Sequence, residues 1–166
     1  MNMGRGTIIY QPVTILKDAK HIVQIRNNCR IGQYTFIGAR KFVMKEGAEI
    51  CPCAVIAGGG DVTLNEFSTV NFHCTLIPST FTTEGEFMND VVAEKTVSVR
   101  GSITVGKGAY IGSNAVICVS EKNPHIHIGD RAVIGAQSYV DHDVEASTIV
   151  HPKIVYDVKK RRPNKK

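Results

Sequence analysis

The chain has 166 residues with 43% apolar content, 15 glycines and no tryptophan, a length and composition typical of one folded domain. Its formal charge of +5 does not indicate a nucleic-acid partner, because six of its 20 Lys and Arg residues lie in the last eight positions and the rest is nearly neutral. No apolar run approaches the roughly 18 residues of a membrane span, so we predict no integral membrane segment, and five cysteines without paired spacing favour a reducing, cytoplasmic location.

The chain divides into three predicted parts. Residues 1–22 are a lead-in whose start lacks the apolar stretch of a signal peptide. Residues 23–158 form one domain with a loop insertion at 77–102. Residues 159–166 are a basic tail, predicted to be a frayed, solvated end, with a phosphate contact as the alternative.

From Ile25 onwards an aliphatic residue recurs every six positions, which is the period of neither a helix nor a plain strand. The residue that follows is often Gly or small and polar, as tight corners require. The aliphatic residues are Ile25, Ile31, Ile37, Ile50, Ile56, Leu64, Val70, Leu76, Val105, Ile111, Ile117, Ile128, Ile134 and Val140.

The fourth residue after these positions is small almost everywhere: Cys29, Thr35, Ala54, Ser68, Cys74, Ala109, Ala115, Ala132 and Ser138. In a coil with three flat faces, each six-residue repeat, or hexad, points two side chains into a narrow interior, so one of the two must be small. The pattern predicts an all-β fold, a single-stranded left-handed parallel β-helix with one long loop. A β-sandwich, with strands about every 8 to 12 residues, does not explain strict sixfold spacing.

The period breaks at 39–42, 58–60, 77–101 and 120–124. These breaks predict loops, which is where a rigid solenoid carries its function. Cys29 and Cys74 occupy the small inward position, so we interpret them as core residues.

The C-terminal coils carry a family resemblance. It lies in residues 103–117, ITVGKGAYIGSNAVI, in residues 126–150, IHIGDRAVIGAQSYVDHDVEASTIV, and in the following HPKIV. These segments resemble the signature of the hexapeptide-repeat acyltransferases. A narrower resemblance lies in Gly85-Glu86-Phe87-Met88, in residues 91–95 and in residues 58–62. These segments are similar to those of the O-acetyltransferases of cell-surface polysaccharide synthesis. The acidic pair and the histidine that relatives carry in this loop are absent here.

The resemblance implies a homotrimer with sites between neighbouring subunits, acetyl-CoA beside the C-terminal coils, and a sugar or nucleotide-sugar acceptor near the long loop. Ser113 and Ala136 match the turns whose backbone groups hold the thioester arm. At the nucleotide end, Asp141-His142 replaces the family's Thr-Lys pair, which leaves His142, or Lys153 and the basic tail, to meet the phosphates.

Acyl transfer to a hydroxyl needs a base, and histidine suits neutral pH. His73 is the first candidate, because it lies outward in the hexad directly before the long loop. Glu86 is the second, because it matches the family loop and burial can raise a carboxyl pKa. The alternatives are a surface or interface histidine and an exposed loop acid.

Two other activities are less consistent with the sequence. His125 and His127 face outward from one strand, but a catalytic zinc site generally needs three protein ligands. Nothing supplies a third at the spacing used by the γ-type carbonic anhydrases, which share this β-helix, so no metal is predicted. Nucleotidyl transfer is not indicated, because no glycine-rich phosphate loop precedes a helix.

The sequence therefore predicts an acetyl-CoA-dependent O-acetyltransferase that acts on a sugar or nucleotide-sugar hydroxyl. Direct transfer is expected, because no Cys or Ser is visibly paired with an activating His. N-acetylation of an amino sugar is one alternative. A catalytically silent trimeric β-helix that serves as a structural or binding module is the other.

Overall fold

The computed structural model describes residues 2–82, 84–85 and 96–153. In this part of the chain all regular structure is strand, and no helix is long and apolar enough to cross a bilayer. Nearly all strand pairs are parallel, and a strand within the stack pairs with the strands one coil before and one coil after it. The chain therefore winds into a parallel β-helix with three faces.

The strands sort by face. The first face contains β1 (Asn2–Met3), β4 (Ile22–Ile25), the ends of β6 (Phe36–Met44) and β8 (Val55–Leu64), β13 (Ser102–Val105) and β16 (His125–Ile128). The second face contains β2 (Ile8–Ile9), β5 (Arg30–Ile31), β7 (Glu49–Ile50), β9 (Thr69–Val70), β14 (Tyr110–Ile111), β17 (Val133–Ile134) and β19 (Ile149–Val150). The third face contains β3 (Thr14–Ile15), the starts of β6 and β8, β10 (Thr75–Ile77), β15 (Val116–Cys118) and β18 (Tyr139–Val140).

The predicted aliphatic residues stack into three ladders, one behind each face. Adjacent members are direct partners in the strand register, as for Ile111 with Val70 and with Ile134. The ladders are Met3, Ile25, Met44, Leu64, Val105, Ile128, Val144; Ile9, Ile31, Ile50, Val70, Ile111, Ile134, Val150; and Ile15, Ile37, Ile56, Leu76, Ile117, Val140. The sixfold repeat thus becomes one continuous apolar core.

The small residues predicted to face inward are all buried, which confirms that part of the prediction. Cys29 and Cys74 are both 0% exposed, and the Cys74 thiol lies 3.1 Å from the carbonyl oxygen of Gly112. They pack as small core residues, as the sequence indicated.

Two of the three corners are narrow, and each turns through one residue with a φ near +60°. Such a φ is uncommon outside glycine, asparagine and aspartate. Between the first and second faces these residues are Gly6, Asn28, Gly47, Phe67, Gly108, Arg131 and Ser147. Between the second and third faces they are Tyr34, Cys53, His73, Asn114 and Gln137.

The third corner, between the third and first faces, is wide. All the predicted breaks in the period fall here, including a register shift between Ala39 and Lys41. A fourth ladder of buried residues fills the extra interior: Val23, Phe42, Val62, Ile103 and Ile126. The insertions therefore leave the helix along a single edge.

The segment predicted as a lead-in contributes to the stack. Its strands β1, β2 and β3 pair in parallel with β4, β5 and β6 and add a coil. The division of the chain at residues 22 and 158 stays a prediction, and the tail at 159–166 lies outside the described residues.

Candidate active site

The long insertion at the wide corner begins and ends as an antiparallel hairpin. β11 (Ser79–Phe81) pairs with β12 (Ser98–Arg100), with Ser79 opposite Arg100. Between this hairpin and the third face lies a cleft of about 500 Å³, which we call the hairpin cleft. Its lining residues are Val55, Ala57, Gly58, Gly59, Thr75, Ile77, Ser79, Thr80, Phe81, Ser98, Arg100 and Cys118.

The glycine run 58–60 exists because the base of the hairpin crosses it. Gly58 has a φ of +124°, and the Gly59 N–H donates a hydrogen bond of 3.0 Å to Ser79 Oγ. A side chain on Gly60 would overlap the carbonyl oxygens of Pro78 and Gly101. The Gly101 N–H donates to the Pro78 carbonyl at 2.8 Å, so the two ends of the hairpin are fixed to each other and to the coil.

An adjoining hollow of about 420 Å³ extends the cleft towards the C-terminal coils. It shares Thr80, Phe81 and Cys118 with the hairpin cleft and adds Tyr139 and Asp141. Burial raises the pKa of the Cys118 thiol, and the Asp141 carboxylate adds to the rise. Cys118 is therefore a neutral thiol near pH 7, a weak nucleophile.

Three predicted site residues come together on the narrow corner beside the third face. The N–H of Asn114 donates to the Phe72 carbonyl, and the N–H of Gln137 donates to the Ser113 carbonyl, each at 2.9 Å. These bonds stack the turns that contain His73, Ser113 and Ala136. His73 is exposed, Ser113 half-buried and Ala136 exposed. His73 lies two residues before Thr75, which lines the hairpin cleft.

The other predicted residues are more widely spread. His142 is exposed on the wide corner, with Nδ1 3.0 Å from the Asp141 carboxylate, and so borders the adjoining hollow. Lys153 is exposed and lies three residues after Val150, whose carbonyl accepts the N–H of Gly135 at 2.6 Å. Glu86 lies outside the described residues.

His125 and His127 face outward from the first face. His125 Nδ1 lies 3.0 Å from Ser102 Oγ, and the backbone N–H of His127 donates to the Asp143 carboxylate at 2.7 Å. Among residues 2–82, 84–85 and 96–153, no group of three or more His, Cys, Asp or Glu side chains is placed to hold a metal ion.

The sequence pattern does not predict the side chains that shape the cleft, among them Ser79, Arg100 and Cys118. The hexad pattern places Cys118 directly after a ladder residue, which is an outward position. No comparable signal places Ser79 and Arg100, because both belong to the hairpin, where the repeat is interrupted.

No protein-family model matches the chain. Two curated proteins of Escherichia coli are similar to it in sequence. The chain is 26% identical to a dTDP-4-amino-4,6-dideoxy-D-glucose acyltransferase, over 76% of its own length and 66% of that protein. It is 29% identical to the galactoside O-acetyltransferase of strain K12, over 63% of its own length and 56% of that protein. The chain thus spans less than two thirds of either relative.

Solved structures share the fold. A variant of AntD, an N-acyltransferase from Bacillus cereus, in complex with dTDP-4-amino-4,6-dideoxyglucose and coenzyme A, matches with a TM-score of 0.79 at 18% identity, covering 98% of this chain and 84% of that one. A hexapeptide-repeat-containing acetyltransferase from Vibrio cholerae matches with a TM-score of 0.55 at 19% identity, covering 96% and 74%. The shared fold is the left-handed parallel β-helix, as predicted.

The predicted resemblance to the hexapeptide-repeat acyltransferases is confirmed.

Proposed function

We propose that this protein is a sugar acyltransferase that takes its acyl group from an acyl-CoA. The observation that carries the proposal is the hairpin cleft on the third face of a left-handed β-helix, in a chain similar to two sugar acyltransferases. Coenzyme A is present in the AntD complex that shares this fold. A cleft of about 500 Å³ falls within the range of small-molecule sites, about 300 to 1,000 Å³.

The finer form of the proposal follows the sequence prediction. The donor would be acetyl-CoA, and the acceptor a sugar or nucleotide-sugar hydroxyl, as in cell-surface polysaccharide synthesis. N-acylation of an amino sugar is the second candidate. It is favoured by the similarity to the dTDP-amino-sugar acyltransferase and by the AntD fold match.

We assign roles to the predicted residues on the same basis. His73, two residues before Thr75 in the lining of the hairpin cleft, would take the proton of the acceptor, and Glu86 is the alternative base. Backbone groups at Ser113 and Ala136, one and two coils further on the same corner, would hold the thioester arm. His142 or Lys153 would meet the phosphates of the donor.

Transfer would be direct. The acceptor oxygen or nitrogen attacks the thioester carbonyl, the base takes the proton, and collapse of the tetrahedral intermediate releases the CoA thiolate, which is then protonated. An acyl-cysteine is disfavoured because burial raises the pKa of both Cys74 and Cys118, and the thiol is a far weaker nucleophile than the thiolate.

The homotrimer remains part of the proposal. His73 is exposed on the narrow corner, so a neighbouring subunit packed against that edge would enclose it and exclude water. We also propose a cytoplasmic location, which suits an acyl-CoA donor and five free cysteines.

The test is calorimetric titration with acetyl-CoA and with CoA, with the mass of the protein measured in parallel. Micromolar binding to a trimer supports the proposal. An acceptor screen with a galactoside and with dTDP-4-amino-4,6-dideoxyglucose then separates the two candidates, because an ester product is cleaved by hydroxylamine and an amide is not. No binding at millimolar CoA would favour the silent trimeric scaffold.

A further inference from the structure

Among the described residues, the lining of the hairpin cleft carries a single charge. Of the described residues that line it, Arg100 alone has a side chain that is charged at neutral pH, and the others are apolar, hydroxyl-bearing or a neutral thiol. Within the described part of the chain no ion pair joins Arg100 to an acidic group. By contrast, Arg40, also at the wide corner, pairs with Asp61 at 2.6 Å. The described lining of the cleft is therefore electrostatically complementary to an anion.

The backbone makes room for this guanidinium. A Cβ atom on Gly59 would lie 3.2 Å from Arg100 Nε and 3.5 Å from its Cδ, so the arginine stem lies flat across the glycine. Arg100 is the strand partner of Ser79, and the Ser79 hydroxyl accepts a hydrogen bond from the Gly59 N–H. These two contacts fix the strand from which the Arg100 side chain extends. The cation therefore extends from a fixed backbone at the lining of the cleft.

We propose that the hairpin cleft is the acceptor subsite and that Arg100 binds a phosphate group of the acceptor. This inference rests on the proposed sugar acyltransferase function and names the class of substrate: a nucleoside-diphosphate sugar rather than a neutral glycoside. Arginine presents its N–H donors in a planar fork that matches two oxygens of one phosphate. The hydroxyls of Thr75, Ser79 and Thr80 supply the neutral donors and acceptors that a sugar ring requires.

Coenzyme A also carries phosphates, so the source of the anion must be distinguished. The residues proposed to hold the thioester arm of the donor, Ser113 and Ala136, lie on the narrow corner, whereas Arg100 lies at the hairpin base near the wide corner. His142, a candidate for the donor phosphates, is also on the wide corner but lies two coils further towards the C-terminus. The third face separates these two edges. This placement assigns Arg100 to the acceptor, with donor and acceptor meeting across the third face.

The experiment is calorimetry with two probes, dTDP and CoA, on the parent protein and on Arg100→Gln, Arg100→Lys and Arg40→Gln. We expect Arg100→Gln to raise the Kd for dTDP at least tenfold and to leave the Kd for CoA within twofold. Arg100→Lys should recover part of the loss, because it restores the charge without the fork. Arg40→Gln, the matched control for loss of a positive charge at the same corner, should change neither.

Circular dichroism should show unchanged unfolding midpoints, because Arg100 is exposed. Three results would overturn the inference while leaving the proposed function intact: CoA binding with no dTDP binding by the parent, unchanged dTDP binding by Arg100→Gln, or loss of CoA binding alone in that variant. Binding of neither probe by the parent would refute both the inference and the proposed function.

Discussion

The space that a side chain on Gly60 would need is filled by the carbonyl oxygen of Pro78. The neighbouring Gly59 differs, because the nearest atom to its Cβ position is Arg100 Nε, at the flexible end of a long side chain. Two adjacent glycines therefore have different roles, since one admits the backbone of the hairpin and the other admits a side chain.

Gly60→Ala should lower the free energy of unfolding by about 1–3 kcal/mol, because backbone atoms must move to relieve the overlap. Gly59→Ala should cost less than about 0.5 kcal/mol, because the exposed and flexible Arg100 side chain can move by the few tenths of an ångström that the new methyl group requires. Urea unfolding followed by circular dichroism measures both values. Equal losses in the two variants would show that the hairpin base is not fixed against the coil.

Because the interior is narrow, enlarging a small inward residue should lower the free energy of unfolding. Ala54 is 0% exposed and stacks behind the third face, so Ala54→Leu should cost about 1–3 kcal/mol through overpacking. Ala19→Leu, at an exposed position, is the matched control and should be nearly neutral. If both variants unfold at the same urea concentration, the interior is looser than the ladders indicate.

The core was predictable because a hexad encodes it locally. Ile111 and Ala115 are inward by spacing alone, and neither depends on how distant parts of the chain meet. The hairpin cleft was not predictable in this way. Arg100 and Gly59 are 41 positions apart, and their contact depends on the path of an insertion that interrupts the repeat. The single corner at which all the insertions leave depends on the register between coils, which the spacing within one hexad does not determine.

The buried cysteines predict a loss of stability in alkaline solution. Burial raises the pKa of the thiols of Cys29, Cys51, Cys74 and Cys118 above the ordinary 9.0. As pH rises through 9.0, these thiols ionise in the unfolded chain before they ionise in the folded one. The unfolded state then binds fewer protons than the folded state, so the free energy of unfolding falls as the pH rises.

Thermal unfolding measured between pH 7 and 10.5, in steps of about half a unit, checks this sign. Cys74→Ala should have a shallower fall than the parent above pH 9, because it removes one of the shifted thiols. A slope that is the same in both proteins would exclude Cys74 as a contributor.

The donor-binding assignment predicts a selective effect at Ala136. This residue is exposed on the narrow corner, where a larger side chain would block access to the backbone groups proposed to hold the thioester arm. Ala136→Leu should raise the KM for the acyl-CoA by about tenfold, equivalent to about 1.4 kcal/mol, with no change in the KM for the acceptor. The Ala19→Leu control should leave both unchanged, and an equal rise in both KM values would contradict the assignment.

The base assignment is tested best by His73→Asn. His73 has a φ of +56°, a conformation that asparagine tolerates better than alanine, so this variant removes the imidazole with little backbone strain. If His73 is the base, kcat should fall by about 10²- to 10⁴-fold, while calorimetric binding of the acyl-CoA stays the same.

Gln137→Asn, at the same corner with a φ of +62°, controls for the change to asparagine. Glu86→Gln in parallel separates the two candidate bases, because kcat should fall only when the residue that takes the proton is replaced. A fall below fourfold for His73→Asn with a large fall for Glu86→Gln would move the role to the carboxylate.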